Sequence, residues 1–191
     1  LFIDLTYFNV KYFDALEGWK TNTAGGSSST QNTIATVKSQ GIELMSKYKL
    51  NELFNFGLNY TYTSSYDGAD EQNLSGPDSG SQMVRVPRNL VNLITNVKVP
   101  GYKDLDITLR TKWSDEARDY GNGNATSAKS PSFENDTLDS YLVNDLSFRY
   151  NLLNSYNLYF DVTNVFDKQY ETVLQYSQMD RSFNFGIKQT Y

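Results

Sequence analysis

The sequence predicts an all-β fold, an antiparallel transmembrane β-barrel segment of about eight meandering strands with short periplasmic turns and long extracellular loops. Three observations point there. Apolar and polar residues alternate with period two, the pattern of strands with one apolar face. The alternating runs are long, and a tilted membrane strand needs about 9 to 11 residues where soluble strands commonly have about five or six. The connections are short at one end and long at the other, as in outer-membrane barrels.

The first strand, 1–14, puts Leu1, Ile3, Leu5 and Tyr7 on one face and then Phe8, Val10 and Tyr12 on the other, so a bulge or an exit from the bilayer is expected near Phe8. The second, 33–50, holds Ile42, Leu44 and Tyr48 outside and Gly41, Glu43, Met45 and Lys47 inside. In the third, 53–65, Phe54, Phe56, Leu58, Tyr60 and Tyr62 interleave with Asn55, Gly57, Asn59 and Thr61. A fourth is expected at 85–99. The fifth, 104–115, sets Leu105, Ile107, Leu109 and Trp113 against Asp106, Thr108, Arg110 and Lys112. The sixth is expected at 138–150, and the seventh, 156–167, sets Tyr156, Leu158, Phe160 and Val162 against Asn157, Tyr159, Asp161 and Thr163. The eighth, 180–191, alternates Phe183, Phe185, Ile187 and Tyr191. Short turns fall at 50–52, 100–103 and 151–155, where Pro, Gly, Asn and Ser supply turn chemistry. Polar stretches at 15–32, 66–83, 116–137 and 168–179 read as the long loops.

The same alternation serves a soluble sandwich, with the apolar face inward, or a membrane barrel, with that face toward lipid. Strand length and loop asymmetry favour the barrel. So do Tyr48, Tyr60, Tyr62, Trp113, Tyr150 and Tyr191, which lie near strand ends where interfacial girdles need a ring in lipid and a polar tip in headgroups.

Composition excludes several function classes. No apolar run approaches the ~18 residues of a membrane-spanning helix, while a mean hydropathy of -0.55 is compatible with strands that are apolar on one side. With no His and no Cys, disulfides, Cys/His zinc sites and histidine- or cysteine-based triads are ruled out. A net charge of -5 gives no footprint for nucleic acid. Leu1 opens the chain without a charged-then-apolar leader, so a mature protein or a fragment is expected.

Asp67, Asp70, Glu71 and Asp78 have the oxygen chemistry for Ca²⁺ but not the spacing of a calcium loop, and read as solvated surface. Asp115, Glu116 and Asp119 lack a histidine base, and Gly121-Asn122-Gly123-Asn124 lacks a following helix, so neither a catalytic site nor a phosphate cradle is expected. The chain is expected to be no enzyme, with no catalytic residue, cofactor or metal site. Its candidate functional residues are the inward charges Glu43, Lys47, Arg110, Lys112, Asp145 and Arg149, together with Lys98, Asp106, Asp161 and Lys188. These line a lumen if the barrel reading holds, and neighbouring strands pair opposite signs.

Phe183, Phe185, Ile187 and Tyr191, leading to a terminal aromatic, resemble the C-terminal assembly signal of bacterial outer-membrane proteins, although Gln189 departs from it. The stretch from Tyr159 to Tyr170, with Asn164-Val165-Phe166-Asp167-Lys168-Gln169-Tyr170, resembles the N-L-F-D-K-x-Y signature in the penultimate strand of TonB-dependent receptors. Segments 39–44, 85–88 and 139–144 resemble that family in order and spacing.

The resemblance implies the C-terminal part of a 22-stranded outer-membrane barrel, of which this chain supplies the last eight strands. It also implies energy-coupled uptake of a siderophore, cobalamin or another scarce nutrient. The implied partners are outer-membrane lipid, the barrel-assembly machinery and, in the whole receptor, a small-molecule ligand and the TonB energy-coupling complex. In that family the plug and the energy-coupling box lie upstream, and neither is recognisable here. A free-standing eight-stranded barrel with a structural or adhesive role is the alternative, which strand count alone does not separate.

Overall fold

The computed structural model describes residues 1–24, 27–67, 82–102, 104–119, 137–152 and 155–189, and none of these is helical. The strands are β1 (Phe2–Ala24), β2 (Ser27–Lys49), β3 (Phe54–Asp67), β4 (Asn89–Lys98), β5 (Leu105–Ser114), β6 (Ala117–Arg118), β7 (Thr137–Leu138), β8 (Tyr141–Leu152), β9 (Tyr156–Thr163), β10 (Glu171–Val173), β11 (Tyr176–Ser177) and β12 (Ser182–Gln189). The eight longest, corresponding to the eight expected, form one antiparallel meander in the order β1-β2-β3-β4-β5-β8-β9-β12. β6 pairs with β7, and β10 with β11, as separate small ribbons. Among the described residues β1 and β12 are edges that do not pair with each other, so the sheet is open. A free-standing eight-stranded barrel requires that missing ladder.

Two turns at the short-turn rim set register. Pro100 and Gly101 occupy the centre of a type II turn, with Gly101 at φ 83 and the Tyr102 N–H donating to the Val99 carbonyl at 3.1 Å. At 50–53 the Asn51 Oδ1 accepts from the N–H groups of Leu53 and Phe54, at 2.8 and 2.9 Å. The adjacent Lys49 bonds to the exposed Glu52 carboxyl and holds it below its ordinary range.

Residues 15–32 depart furthest from expectation. Those described are strand: the ladder continues from Ala15↔Ala35 to Ala24↔Ser27, making β1 and β2 paired strands of 23 residues each, with 25–26 outside the described residues. Their polar composition suggested a loop, but backbone pairing is indifferent to polarity. Nor is there a break at Phe8. Register is unbroken from Phe2↔Lys47 to Tyr12↔Val37 and shifts between Tyr12 and Ala15 and again between Leu16 and Gly18.

Other boundaries move for local reasons. Residues 85–88 are not strand, because Arg85 sits at φ 60 and Pro87 has no N–H to give a ladder. β8 starts at Tyr141 and not at 138, because Leu138 pairs with Ala117. β9 stops at Thr163 and not at 167, because Asn164 turns to φ 52. The expected loops 116–137 and 168–179 contain β6, β7 and the β10–β11 hairpin, with 120–136 outside the described residues.

Register sorts the side chains into two faces. One row crosses six strands as Leu5, Leu44, Tyr60, Val91, Trp113 and Leu142, and another as Phe56, Thr95, Leu109, Leu146, Val162 and Phe183. Rings stack along this face, Phe148 on Phe160 at 6.0 Å and Phe160 on Phe183 at 6.3 Å. It is uncovered: Ile3, Leu5, Tyr7, Phe183, Phe185 and Ile187 are all exposed. Buried apolar residues among those described are few, Val37, Leu138, Tyr141, Val143 and Val162 among them, so the sheet lacks an interior of its own.

On the opposite face two aromatic rings cover glycines directly across the ladder. The Phe8 ring lies over Gly41 and the Tyr159 ring over Gly186. This explains the early apolar residue on the polar face of β1. A Cβ at Gly41 would come within 2.6 Å of the Phe8 ring and meet the Tyr62 carbonyl oxygen, whereas at Gly57 its nearest neighbour is the Ile94 Cβ at 3.8 Å. Gly41→Ala is therefore expected to destabilise by about 1–3 kcal/mol. Gly57→Ala should be neutral or slightly stabilising. Denaturant unfolding of the two variants in detergent micelles checks the contrast, and equal effects would contradict the packing described.

Candidate functional site

Glu43, Lys47, Lys98, Asp106, Arg110, Lys112, Asp145, Arg149, Asp161 and Lys188 share the polar face by register. Opposite signs meet across ladders, Lys98 facing Asp106, Asp106 facing Arg149 and Arg110 facing Asp145. Arg149 forks onto Asp161, with Nη1 to Oδ1 at 2.8 Å and Nη2 to Oδ2 at 3.2 Å, and lies 5.3 Å from the Tyr159 ring. Arg110 donates to the Ser147 hydroxyl at 3.0 Å, and the Lys112 ammonium sits 5.6 Å from the Tyr141 ring. Glu43 and Lys47 instead face Thr61 and Gly57 across the ladder. Such a surface presents hydrated charge and hydrogen bonds; the charges are spread over six strands and do not converge on a reacting atom.

At the opposite rim the chain leaves β9 through the Asn164-to-Tyr170 stretch. Asn164 is 1% exposed. Its N–H donates to the Asp145 carboxylate at 2.9 Å, its amide donates to the Lys168 carbonyl at 3.0 Å, and its Oδ1 accepts from the Lys168 N–H at 2.9 Å. The Asp167 Oδ1 accepts from the Arg181 N–H at 2.8 Å, which leads the chain into β12. Tyr170 packs on Tyr141 with centroids 4.4 Å apart, and burial raises its phenol above the ordinary range. This stretch thus works as a folded turn that returns the last strand to the sheet.

Two of the acidic residues weighed for catalysis, Asp115 and Asp119, have structural partners. Asp115 accepts from the Asn89 amide at 2.7 Å and from the Glu116 N–H at 3.0 Å, while Asp119 is buried against Arg85. Among the described residues no group of three or more acidic side chains could hold a metal. Asp70, Glu71 and Asp78 lie outside the described residues, as do Gly121 to Asn124, and Asp67 closes β3. Of the expected terminal signal, Phe183, Phe185 and Ile187 stand on the apolar face of β12, and Tyr191 lies outside the described residues. Sequence reasoning missed the buried roles of Asn164 and Asp119. The family-like signature flagged the first, and nothing local flagged the second.

A sheet that is apolar and uncovered on one face, charged on the other and open at both edges is a wall segment of an outer-membrane-type β-barrel. The chain belongs to the family described as TonB dependent receptor-like, beta-barrel, whose profile matches residues 1–165. A search of curated proteins found no match. Solved structures share the fold. The pyoverdine outer membrane receptor FpvA from Pseudomonas aeruginosa PAO1, bound to pyoverdine, matches with TM-score 0.70 and 19% identity over 98% of this chain and 27% of that one. The FrpB iron transporter from Neisseria meningitidis matches with TM-score 0.67 and 19% identity over 97% and 28%. The ferric-catecholate import receptor Fiu from K12 E. coli matches with TM-score 0.65 and 14% identity over 97% and 25%. The chain thus spans about a quarter of the length of these proteins.

Two substitutions separate the buried from the exposed polar contacts. Asn164→Ala forfeits a left-handed backbone preference and three hydrogen-bonding side-chain contacts made from a buried position, two of them to the Lys168 backbone, so it is expected to cost about 2–3 kcal/mol, and Asn164→Gly less. Asp161→Asn should cost no more than about 1 kcal/mol, diminishing with added salt, because the Arg149 partner is half exposed. Equilibrium unfolding at two salt concentrations measures both.

Proposed function

We propose that this chain is the C-terminal portion of the barrel of an outer-membrane receptor that takes up a scarce nutrient with energy supplied from the inner membrane. The observation that carries the reading is the two-faced register shared by the eight strands of one sheet, combined with membership of the receptor barrel family. The apolar face meets lipid. The polar face lines the lumen, where Glu43, Lys47, Arg110, Lys112, Asp145 and Arg149 face water, the plug or the passing solute.

The open edges β1 and β12 join the remaining strands of a barrel of roughly 22, the size of plugged outer-membrane transporters. Phe183, Phe185, Ile187 and Tyr191 serve as the terminal signal for the barrel-assembly machinery. The plug and the segment that engages the TonB complex belong to the rest of the receptor. Three matched structures concern pyoverdine, a ferric catecholate and iron, which favours a ferric chelate over cobalamin as the ligand class.

Charge substitution tests the orientation. Leu58→Arg or Leu109→Arg, on the apolar face, should cost about 2–4 kcal/mol in a bilayer folding assay, and Thr61→Arg or Thr108→Arg far less. Equal tolerance on both faces would remove the barrel reading. An epitope placed within 68–81 of the full receptor should be labelled on intact cells, while one at Gly101 should not. The reverse pattern would place the short turns outside.

A further inference from the structure

At the long-loop rim one carboxylate joins three separate stretches of chain. Asp119 is 1% exposed, and its side chain is wholly enclosed. A carboxylate taken out of water is tolerated only when paired and hydrogen-bonded. Its Oδ1 accepts from the Arg85 Nε at 2.7 Å, and its Oδ2 accepts from the Leu174 N–H at 2.6 Å. Those partners lie 34 and 55 residues away in sequence.

The first stretch, 82–88, is tied to the second, 115–119, at two further points. The Arg85 N–H donates to the Arg118 carbonyl at 2.7 Å, and the Arg118 Nη1 donates to the Gln82 carbonyl at 3.2 Å. Gln82 anchors this pair to β3, its amide donating to the Thr63 carbonyl at 3.1 Å and its Oε1 accepting from the Ser65 N–H at 3.2 Å. The third stretch is the β10–β11 hairpin, 171–177, held to the second through the Leu174 N–H. Arg85 and Gln175, both non-glycine residues at positive φ, flank the carboxylate. Such conformations persist where the surroundings over-determine them.

Clefts open on either side of this knot. One, of about 420 Å³, includes Gln82, Arg88 and Arg118, and the other, of about 330 Å³, includes Lys168, Tyr170 and Leu174; Thr137 borders both. We infer that Asp119 is a positioning residue that locks 82–88, 115–119 and the β10–β11 hairpin into a single platform bearing both clefts. In the receptor proposed above this platform sits at the outward mouth, so the placement rests on that reading, whereas the locking rests on the contacts alone.

A lock of this kind transmits a change between stretches that are remote in sequence. In the full-length receptor in detergent micelles, hydrogen exchange by mass spectrometry is expected to speed up about ten-fold or more across 171–177 in Asp119→Ala, while β8 and β9 keep their protection. Arg85→Ala should also speed exchange at 171–177, although Arg85 lies on another stretch. The double variant should be no faster there than Asp119→Ala alone, the non-additivity of groups acting through one contact. Asp119→Asn, which keeps the side-chain shape and an acceptor for Leu174, should loosen 82–88 more than 171–177.

Exchange at 171–177 that stays at the wild-type rate in both Arg85→Ala and Asp119→Ala, with β8 and β9 protected, would overturn the lock. Trypsin applied to cells bearing Asp119→Ala tests the placement separately. Faster cleavage after Arg85, Arg88 or Arg118 on intact cells supports the platform at the outward mouth. Faster cleavage only after permeabilisation would keep the lock and overturn the outward placement.

Discussion

A β-strand turns successive side chains to opposite faces, so slipping one ladder by a single residue would carry Phe54, Phe56, Leu58, Tyr60 and Tyr62 together to the face that holds Glu43 and Lys112. The seven ladders joining the eight strands of the sheet must therefore agree, and they do. Agreement is fixed locally at the short-turn rim, by the Pro100-Gly101 turn and the Asn51 cap, and globally by the cost of exposing the wrong face. In hydrocarbon that cost is large on both counts, since charge on the lipid side and unpaired backbone are each heavily penalised. The two faces and their order around the wall follow from this one condition.

Alternation is a property of sequence neighbours, and so the wall was legible. The phases of 42–48, 54–62, 105–113 and 156–163 were read correctly from residue type alone. Strand ends were less legible, because a strand stops for reasons that composition records poorly. β9 ends where Asn164 turns left-handed, and β1 continues through a polar stretch because its partner β2 continues with it. Phe8 misled for a related reason. Its ring belongs on the polar face because Gly41, across the ladder, leaves space for it.

The rim was opaque on different grounds. Asp119 is one acidic residue among several in a polar stretch, and what sets it apart is that two of its partners come from two other connections. Nothing in the spacing of Arg85, Asp119 and Leu174 announces that they meet. Asn164 stood out only because its neighbours resemble a family signature. The signature names the position without saying what the residue does, which is to satisfy both backbone groups of Lys168 and hold the return to β12.

Electrostatics divides the molecule in the same way. On the polar face Arg149 is half exposed, and a pair of that kind contributes roughly 0–1 kcal/mol, so its charges can be altered without unbuilding the wall. At the rim the Asp119 carboxylate is enclosed, and removing one partner of a buried charge costs roughly 3–5 kcal/mol, although the partial exposure of Arg85 lowers that figure. The face with many charges is therefore permissive, while the rim segments joined by the buried Asp119 are rigid. That division arises from burial alone, since arginine–aspartate pairs stand in both places: where the partners are hydrated the pair can be altered cheaply, and where the carboxylate is enclosed it holds the connecting segments in fixed relation.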